Sequence, residues 1–444
     1  MLRTFTKGGI HPAENKITAG SGITVPPLPE VVTIPLLQHI GAPSKLIVDK
    51  GDEVRVGQLL ARSEGYISAN LHSSVSGKIA RIDKFIDNSG YKRNSIQIEV
   101  TGDDWLETID QSDTLVKEFG LTQPEIVKKI QESGIVGLGG ATFPSHVKLS
   151  APREKKTECL LINGVECEPY LTADHVLMLE KGEEIMVGIR IIMHALQVKK
   201  AIIGIEANKQ NAIDHLSLLA GHYEGIRVLG LKVKYPQGSE KHLIKAVHNR
   251  EVPSGGLPID MGCVVFNVGT VFAVYEAVQK NKPLIERITT VTGNSLKSPA
   301  NFKVRLGTSI AHLIEAAGGM PEDTGKVISG GPMMGRAIND LNVPVTKGTS
   351  GILLLKEEIA HRKPVQNCIR CSKCISVCPM GMEPYLIMAM TVNEKIDMLE
   401  DNHIMDCMEC GSCSYICPAN RPLLDYIRFG KVKVREFKRK NRES

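Results

Sequence analysis

The sequence predicts a multidomain chain of mixed α/β and α+β class that ends in a small helical domain built around metal-ligating cysteines. Three observations predict it. Strand-like and helix-like segments alternate from residue 158 to 250, which argues for a mostly parallel sheet covered by helices. Residues 45–100 instead read as short alternating strands between Gly-Asp and Val-Gly turns. The pattern Cys-x2-Cys-x2-Cys-x3-Cys-Pro occurs twice between residues 368 and 418. With 444 residues, the chain is also too long for a single core.

Bulk properties narrow the function. Charged residues make up 23% and hydrophobic residues 42%, an ordinary globular balance. A net charge of +5 is too mild to argue for nucleic acid. No run of about 18 apolar residues is present, so no membrane span is expected. The N-terminus, MLRTFTKGGIHP, lacks the apolar stretch of a signal peptide. Eight of the 11 cysteines fall in the two motifs, with Cys159, Cys167 and Cys263 scattered. That is metal usage in a reducing, cytoplasmic setting rather than a disulfide framework.

In chain order, residues 1–110 form the N-terminal segment and the β-rich region. The pair GDEVRVGQLLA and SSVSGKIARI resembles the biotinyl/lipoyl barrel-sandwich hybrid. Carrier domains of that type present a lysine between such segments. Here the span RSEGYISANLH has none, so a structural or docking role is expected. Residues 101–120 are polar and suit a linker. Thr122, Pro124 and Glu125 then open a helix, with Thr as N-cap, Pro in the first turn and a capping box closed by Glu; Gly134 stops it.

The α/β domain is expected over 121–285. GIVGLGGATFPSHVKL places Gly137, Gly139 and Gly140 within four residues and Lys148 at the start of a helix. Glycines admit close approach of a ligand to the backbone, and N–H groups near a helix start favour anions. CLLING reads as a strand and TADHVLMLEKGEEIMVGIRIIMHALQ as one helix; KKAIIGIEA and IRVLGLKVKY are strands that alternate with further helices. In such sheets ligands bind at the carboxyl ends of strands. Asn163, Glu166 and Glu168 follow the first strand, and Gly238 and Glu240 follow the third, so both loops are placed to line a crevice with the glycine loop. Residues 264–279 form an apolar run with Asn267 and Thr270 that leads into a helix. Residues 286–356 read as a small β-grasp-like module with one helix. A domain over 361–430 holds the cysteines, and residues 431–444 form a solvated basic tail.

The twin motif has the spacing of two-cluster bacterial ferredoxins, in which the fourth cysteine of each motif ligates the other cluster. One [4Fe–4S] cluster then takes Cys368, Cys371, Cys374 and Cys417, and the other takes Cys407, Cys410, Cys413 and Cys378. Two four-cysteine zinc sites are the alternative, but the triple Cys-x2 spacing closed by Cys-Pro favours iron–sulfur. Such clusters move single electrons while nicotinamides exchange a hydride, and a flavin is the usual converter. A nucleotide crevice upstream of two clusters therefore invites a flavin.

GLGGATFP with Lys148, NGVECEPYLTADH, YPQGSEKHLI and FNVGT together resemble the FMN- and NADH-binding 51 kDa-type subunit of respiratory complex I. From GGIHPAENK to the second cysteine motif, the whole chain resembles the RnfC family, the C subunits of Rnf complexes, which are ion-translocating ferredoxin:NAD+ oxidoreductases of bacterial membranes. The resemblance implies a barrel-sandwich hybrid, a Rossmann-like flavoprotein core, an SLBB module and a dicluster domain. It implies FMN near Gly137, Gly139, Gly140, Lys148, Asn163, Glu166, Asn267 and Thr270. It implies NAD(H) near Phe143, Glu168 and Glu240, with Glu166 or Glu168 ordering the nicotinamide or a water. It further implies association with the other members of such a complex at the cytoplasmic face of the membrane, and with ferredoxin only indirectly. The chain departs from the complex I pattern at Val165, Leu138 and Thr142, where that family carries Asp, Arg and Gly. Two alternatives remain open: a cobalamin-reductase-type flavin and iron–sulfur protein of a microcompartment, and a flavin-free relay scaffold.

Overall fold

The computed structural model describes residues 2–150 and 155–443, and within these four hydrophobic cores follow one another along the chain. The first is entirely β. Val31–Pro35, Lys92–Gly102, Ser76–Ile86 and Glu53–Val54 pair antiparallel in one sheet, and Lys45–Leu46, Leu59–Arg62 and Leu71–His72 in a second. Alternation places Val32, Ile34, Ile79, Ile96 and Ile98 in the space between them, each fully or almost fully buried.

Four parallel strands form the centre of the α/β region, in the order Ile226–Leu231, Ala201–Glu206, Cys159–Asn163, Cys263–Asn267. Their continuous apolar runs are covered by helices, as a parallel sheet requires. The helix Gln123–Glu132 begins as expected: the Thr122 N–H donates to Glu125 Oε2 at 2.7 Å. It ends at Gly134, whose φ of +64° suits a residue without a Cβ. One expectation needs correction. The long helix after residue 172 is two, Ala173–Glu180 and Gly182–Leu196. Lys181 leaves helical geometry there, and a Cβ on Gly182 would lie 2.7 Å from His215 Nε2. Close packing on the helix Gln210–Ala220 decides the break, a constraint that helical periodicity does not carry.

The third region is a six-stranded mixed sheet. Glu286–Thr292 and Ala300–Arg305 form a hairpin beside Gly351–Lys356, Thr324–Ser329 and Arg336–Ile338. One of its two outer strands is Ile23–Thr24, from the other end of the chain. The helix Ile310–Ala316 has the hydroxyl of Ser309 as its N-cap. The fourth region is helical and holds both cysteine motifs. Its last element corrects the expected tail: Leu423–Glu443 is one 21-residue helix, with Ile427 and Val434 buried against the cysteine domain. The alternation of those apolar positions with lysine and arginine makes an amphipathic helix, not a free tail.

The first 24 residues tie these regions together. Arg3 and Ile10 pair with Leu231 and Tyr235 of the α/β region, Gly9 N–H donates to Val377 O at 2.9 Å, and Ile23–Thr24 joins the six-stranded sheet.

Candidate functional site

The glycine loop joins Gln123–Glu132 to the short helix Ser145–Leu149. It closes on itself: Gly137 N–H donates to Phe143 O at 2.9 Å and Thr142 N–H to Gly137 O at 3.1 Å. It is fixed from below by the neighbouring elements. Leu138 N–H donates to Thr270 Oγ1 at 2.8 Å, and the Arg287 guanidinium donates to Leu138 O at 3.4 Å. A Cβ on Gly139 would stand 3.3 Å from the Asn267 side chain. Gly140, with φ of +106°, faces open space where its Cβ would be. A loop rigid underneath and open above is what a flavin phosphate and its chain require, so the residues present fit FMN.

Asn163 and Asn267 end adjacent parallel strands and are register partners. Asn267 caps the helix Val268–Gln279, accepting from Gly269 N–H at 2.9 Å, and donates to Asp174 Oδ2 at 2.6 Å. Asn163 donates to Gly238 O at 2.7 Å and accepts from Val165 N–H at 3.1 Å. Gly238 N–H in turn donates to Cys167 Sγ at 3.3 Å. The loops expected to share one crevice are therefore joined by hydrogen bonds.

Glu166 and Glu168 are together in sequence but serve different partners. Glu166, at φ +45°, accepts from Asp174 N–H at 2.8 Å and His175 N–H at 3.2 Å, where it caps a helix start. Glu168 reaches the third region and accepts from Met333 N–H at 3.1 Å and Met334 N–H at 2.9 Å. Backbone amides hold both carboxylates, so whichever of Glu166 and Glu168 was expected to order the nicotinamide or a water is already anchored on one side. Burial pushes Glu168 up to about 7, against the pull of those amides and of Lys16. Lys148 stands near the end of its helix rather than at its start, and its Nζ lies 2.5 Å from Glu240 Oε1 and 3.0 Å from Val265 O. The residues expected near phosphate and nucleotide thus meet each other. Phe143 is half-buried at the close of the glycine loop.

Several members of this site were missed in the sequence. Lys16 Nζ donates to Glu166 O at 2.8 Å, Glu168 O at 2.8 Å and Leu171 O at 2.6 Å, pinning the whole NGVECEPYL loop. Asp174 is pushed up to about 7, first by burial and then by the nearby charge of Glu166. Arg287, Lys209 and Tyr235 are buried beside them. Asp174 and Tyr235 lie inside NGVECEPYLTADH and YPQGSEKHLI and Lys16 ends GGIHPAENK, but nothing in those stretches marks them out, and Lys209 and Arg287 arrive from outside any motif. Cys159 and Cys263 face each other across adjacent strands, buried, with thiols raised to about 11 and about 12 by desolvation. They behave as small core residues.

The cysteine motifs resolve into two unlike sets. Cys378 lines one cavity with Cys407, Cys410 and Cys413, enclosed by Met382, Ile387, Leu424 and Ile427. This brings the fourth cysteine of the first motif to the first three of the second. Burial raises Cys407 to about 11 and Cys413 to about 12, with the other thiols of the set adding to it. Four thiols crowded in an apolar cavity fit a cationic cluster that would take them as thiolates. Backbone N–H groups of Met382 and Glu409 donate to Cys378 and Cys407 sulfurs, each at 3.4 Å. In the other set Cys374 and Cys417 are half-buried, and Cys368 and Cys371 are exposed. The enclosed set abuts the crevice: Tyr235 OH donates to Cys410 O at 2.8 Å, and His242 Nε2 lies 3.3 Å from Pro379 O.

Comparison with known proteins agrees with this geometry. Residues 4–103 match the RnfC barrel sandwich hybrid domain, 130–276 the Nuo51 FMN-binding domain, 288–337 the SLBB domain and 361–418 the 4Fe-4S dicluster domain. Over 440 residues the chain is 46% identical to the C subunit of the proton-translocating ferredoxin:NAD(+) oxidoreductase complex of Clostridium ljungdahlii, covering 98% of this chain and 95% of that protein. The chain belongs to the RnfC family. It is 45% identical over 439 residues to the Na(+)-translocating counterpart of Acetobacterium woodii, covering 98% of each. A solved NAD+-reducing [NiFe]-hydrogenase in the H2-reduced state shares the fold at a TM-score of 0.50 and 18% identity, over 69% of this chain and 62% of that one. As an RnfC-type protein the chain carries an FMN-binding domain and a dicluster iron–sulfur domain, and is an electron-transfer member of an oxidoreductase complex. No helix among the described residues is long and apolar enough to cross a membrane.

Proposed function

We propose that this chain is the NAD(H)-handling subunit of a membrane-bound ferredoxin:NAD+ oxidoreductase, docked peripherally on the cytoplasmic side, with ion translocation carried out by the assembled complex. FMN, when bound, supplies the conversion between hydride exchange and single-electron transfer. Gly137, Gly139 and Gly140 let it approach the backbone, Thr270 and Arg287 hold that loop, and Asn163 and Asn267 fix the strand ends below it. Lys148, freed from Glu240, is placed to meet a phosphate, and Glu240 and Phe143 lie on the side proposed for the nicotinamide nucleotide. Cys407, Cys410, Cys413 and Cys378 hold the inner cluster, and Cys368, Cys371, Cys374 and Cys417 the outer one.

The observation that carries this reading is the shared wall between crevice and inner set, where Tyr235 bonds Cys410 and the adjoining loop runs through Cys167 and Glu168. A buried polar contact there joins the crevice to the inner cysteine set. The test is to purify the protein with reconstituted clusters, measure FMN content and add NADH. FMN retention with bleaching of cluster absorbance is expected. A protein with full clusters, no flavin and no bleaching is a relay scaffold, and the reading is then wrong.

A further inference from the structure

Every residue from His361 to Lys373 is exposed. This segment contains Cys368 and Cys371, together with Arg362, Lys363, Arg370 and Lys373, and has no Asp or Glu. Arg362 pairs with Asp425. Lys363, Arg370 and Lys373 have no acidic partner within 4.0 Å among the described residues. Large apolar side chains stand among these cations: Val365 is 57% exposed and Ile369 67%. Tyr415, also exposed, lies on the helix Ser412–Ile416, which packs against Lys373–Ser376.

The segment is held in place although it is bare. Gln366 N–H donates to Ala419 O at 2.9 Å, Asn420 Nδ2 to Pro364 O at 3.1 Å, and the Arg421 guanidinium to Gln366 O at 3.4 Å. Its charges therefore form a fixed face. The helix Leu423–Glu443 has more cations, and some of them are answered within the chain. Arg428 and Lys431 bind Glu409, Lys433 approaches Glu436 and Lys438 binds Glu400. Arg435, Arg439 and Lys440 on that helix have no acidic partner among the described residues either, so unpaired positive charge lies on both surfaces; at 361–373 it stands beside the exposed cysteines.

We propose that the 361–373 face docks an acidic, one-electron carrier domain of a neighbouring protein in the complex. An apolar centre ringed by polar groups is the anatomy of a protein interface. Unpaired cations at its rim select an acidic partner and speed its encounter. Two ligand thiols at the same spot define what the partner must carry, because a cluster there exchanges single electrons. The inference rests on reading Cys368, Cys371, Cys374 and Cys417 as ligands of one cluster.

The test uses this protein with its clusters reconstituted, and the remainder of the complex purified in detergent from cells lacking this chain. Association is followed at low and high salt for wild type, for Arg370→Glu/Lys373→Glu, and for Lys363→Glu/Val365→Glu, which leaves every position between ligands untouched. Arg435→Glu/Arg439→Glu on the last helix is the control. Both face variants are expected to associate at least about tenfold more slowly at low salt, and to lose most of the salt dependence shown by wild type. The control is expected to behave as wild type. Iron content and NADH-driven bleaching of the isolated protein report separately on the proposed function, so a failure there is not a failure of docking. Wild-type association by both face variants overturns the proposal. So does a loss confined to the control, or binding of wild type to anionic lipid vesicles that the control substitutions abolish while the face variants still join the complex normally.

Discussion

The two cysteine sets share one spacing and differ in nearly everything around them. Cys378, Cys410 and Cys413 are buried, whereas Cys368 and Cys371 are exposed. The N-terminal segment makes part of the difference. A Cβ on Gly8 would meet the Cys378 carbonyl at 2.5 Å, so the chain lies directly on that ligand's backbone. Tyr235 covers Cys410 from the α/β side, and Gly411 packs under the Met333 carbonyl of the third region. Three regions converge on the inner set, and none of these three segments covers the exposed ligands of the outer one. The contrast teaches that a repeated motif need not give equivalent sites.

The hardest blow to that contrast is Cys378→Ala. The residue belongs in sequence to the first motif and in space to the second. Its loss is expected to halve the iron, from about eight to about four atoms per chain. The remaining cluster should be that of Cys368, Cys371, Cys374 and Cys417. Cysteine-selective labelling of the purified variant checks this, since Cys407, Cys410 and Cys413 should become modifiable while the first-motif cysteines stay protected. Labelling of Cys368, Cys371 and Cys374 instead would mean that the ligands are not crossed.

Lys16→Met probes the inner end from the crevice side. Three backbone carbonyls share this one ammonium, and methionine keeps the stem but offers no donor. Leaving them unpaired should cost about 2–4 kcal/mol. We expect a lower unfolding temperature and weaker FMN retention, with iron content kept at the outer set. Unchanged flavin retention and an unchanged melting curve would show that the loop holds its shape without the N-terminal segment.

The parts legible in the sequence were those where chemistry imposes a local pattern. The cysteine spacing gave the crossed pairing of Cys378 with Cys407, Cys410 and Cys413, and strand–helix alternation gave the parallel sheet. Thr122 and Gly134 marked both ends of their helix. What was not legible depends on contacts between distant segments. Lys181 breaks a helix because His215 crowds Gly182. The amides of Asp174, His175, Met333 and Met334 that hold Glu166 and Glu168 leave no local pattern in the sequence. The final helix looked like a solvated tail because its cations outnumber its acids, and only packing shows that Val434 is buried.

The smallest expected effect concerns Glu168, at the junction of crevice, third region and inner cysteines. Burial raises its carboxyl to about 7, above the 4.5 usual for glutamate. The folded protein therefore keeps this proton to higher pH than the unfolded chain does. Below about 4.5 both states are protonated and the group costs nothing; as pH rises toward 7 the unfolded chain ionises first, and the group's contribution to stability falls. Glu168→Gln cannot ionise, and its amide oxygen can still accept from Met333 or Met334. Whatever fixed offset the substitution brings, the variant should gain on wild type as pH rises from about 4.5 to 7, and the gap should then level off. Thermal unfolding of both proteins across that range measures the slope. Parallel curves would mean that the two amides and Lys16 hold the Glu168 charge as well as water does, and that the inner junction is no more averse to charge than the exposed face around Cys368.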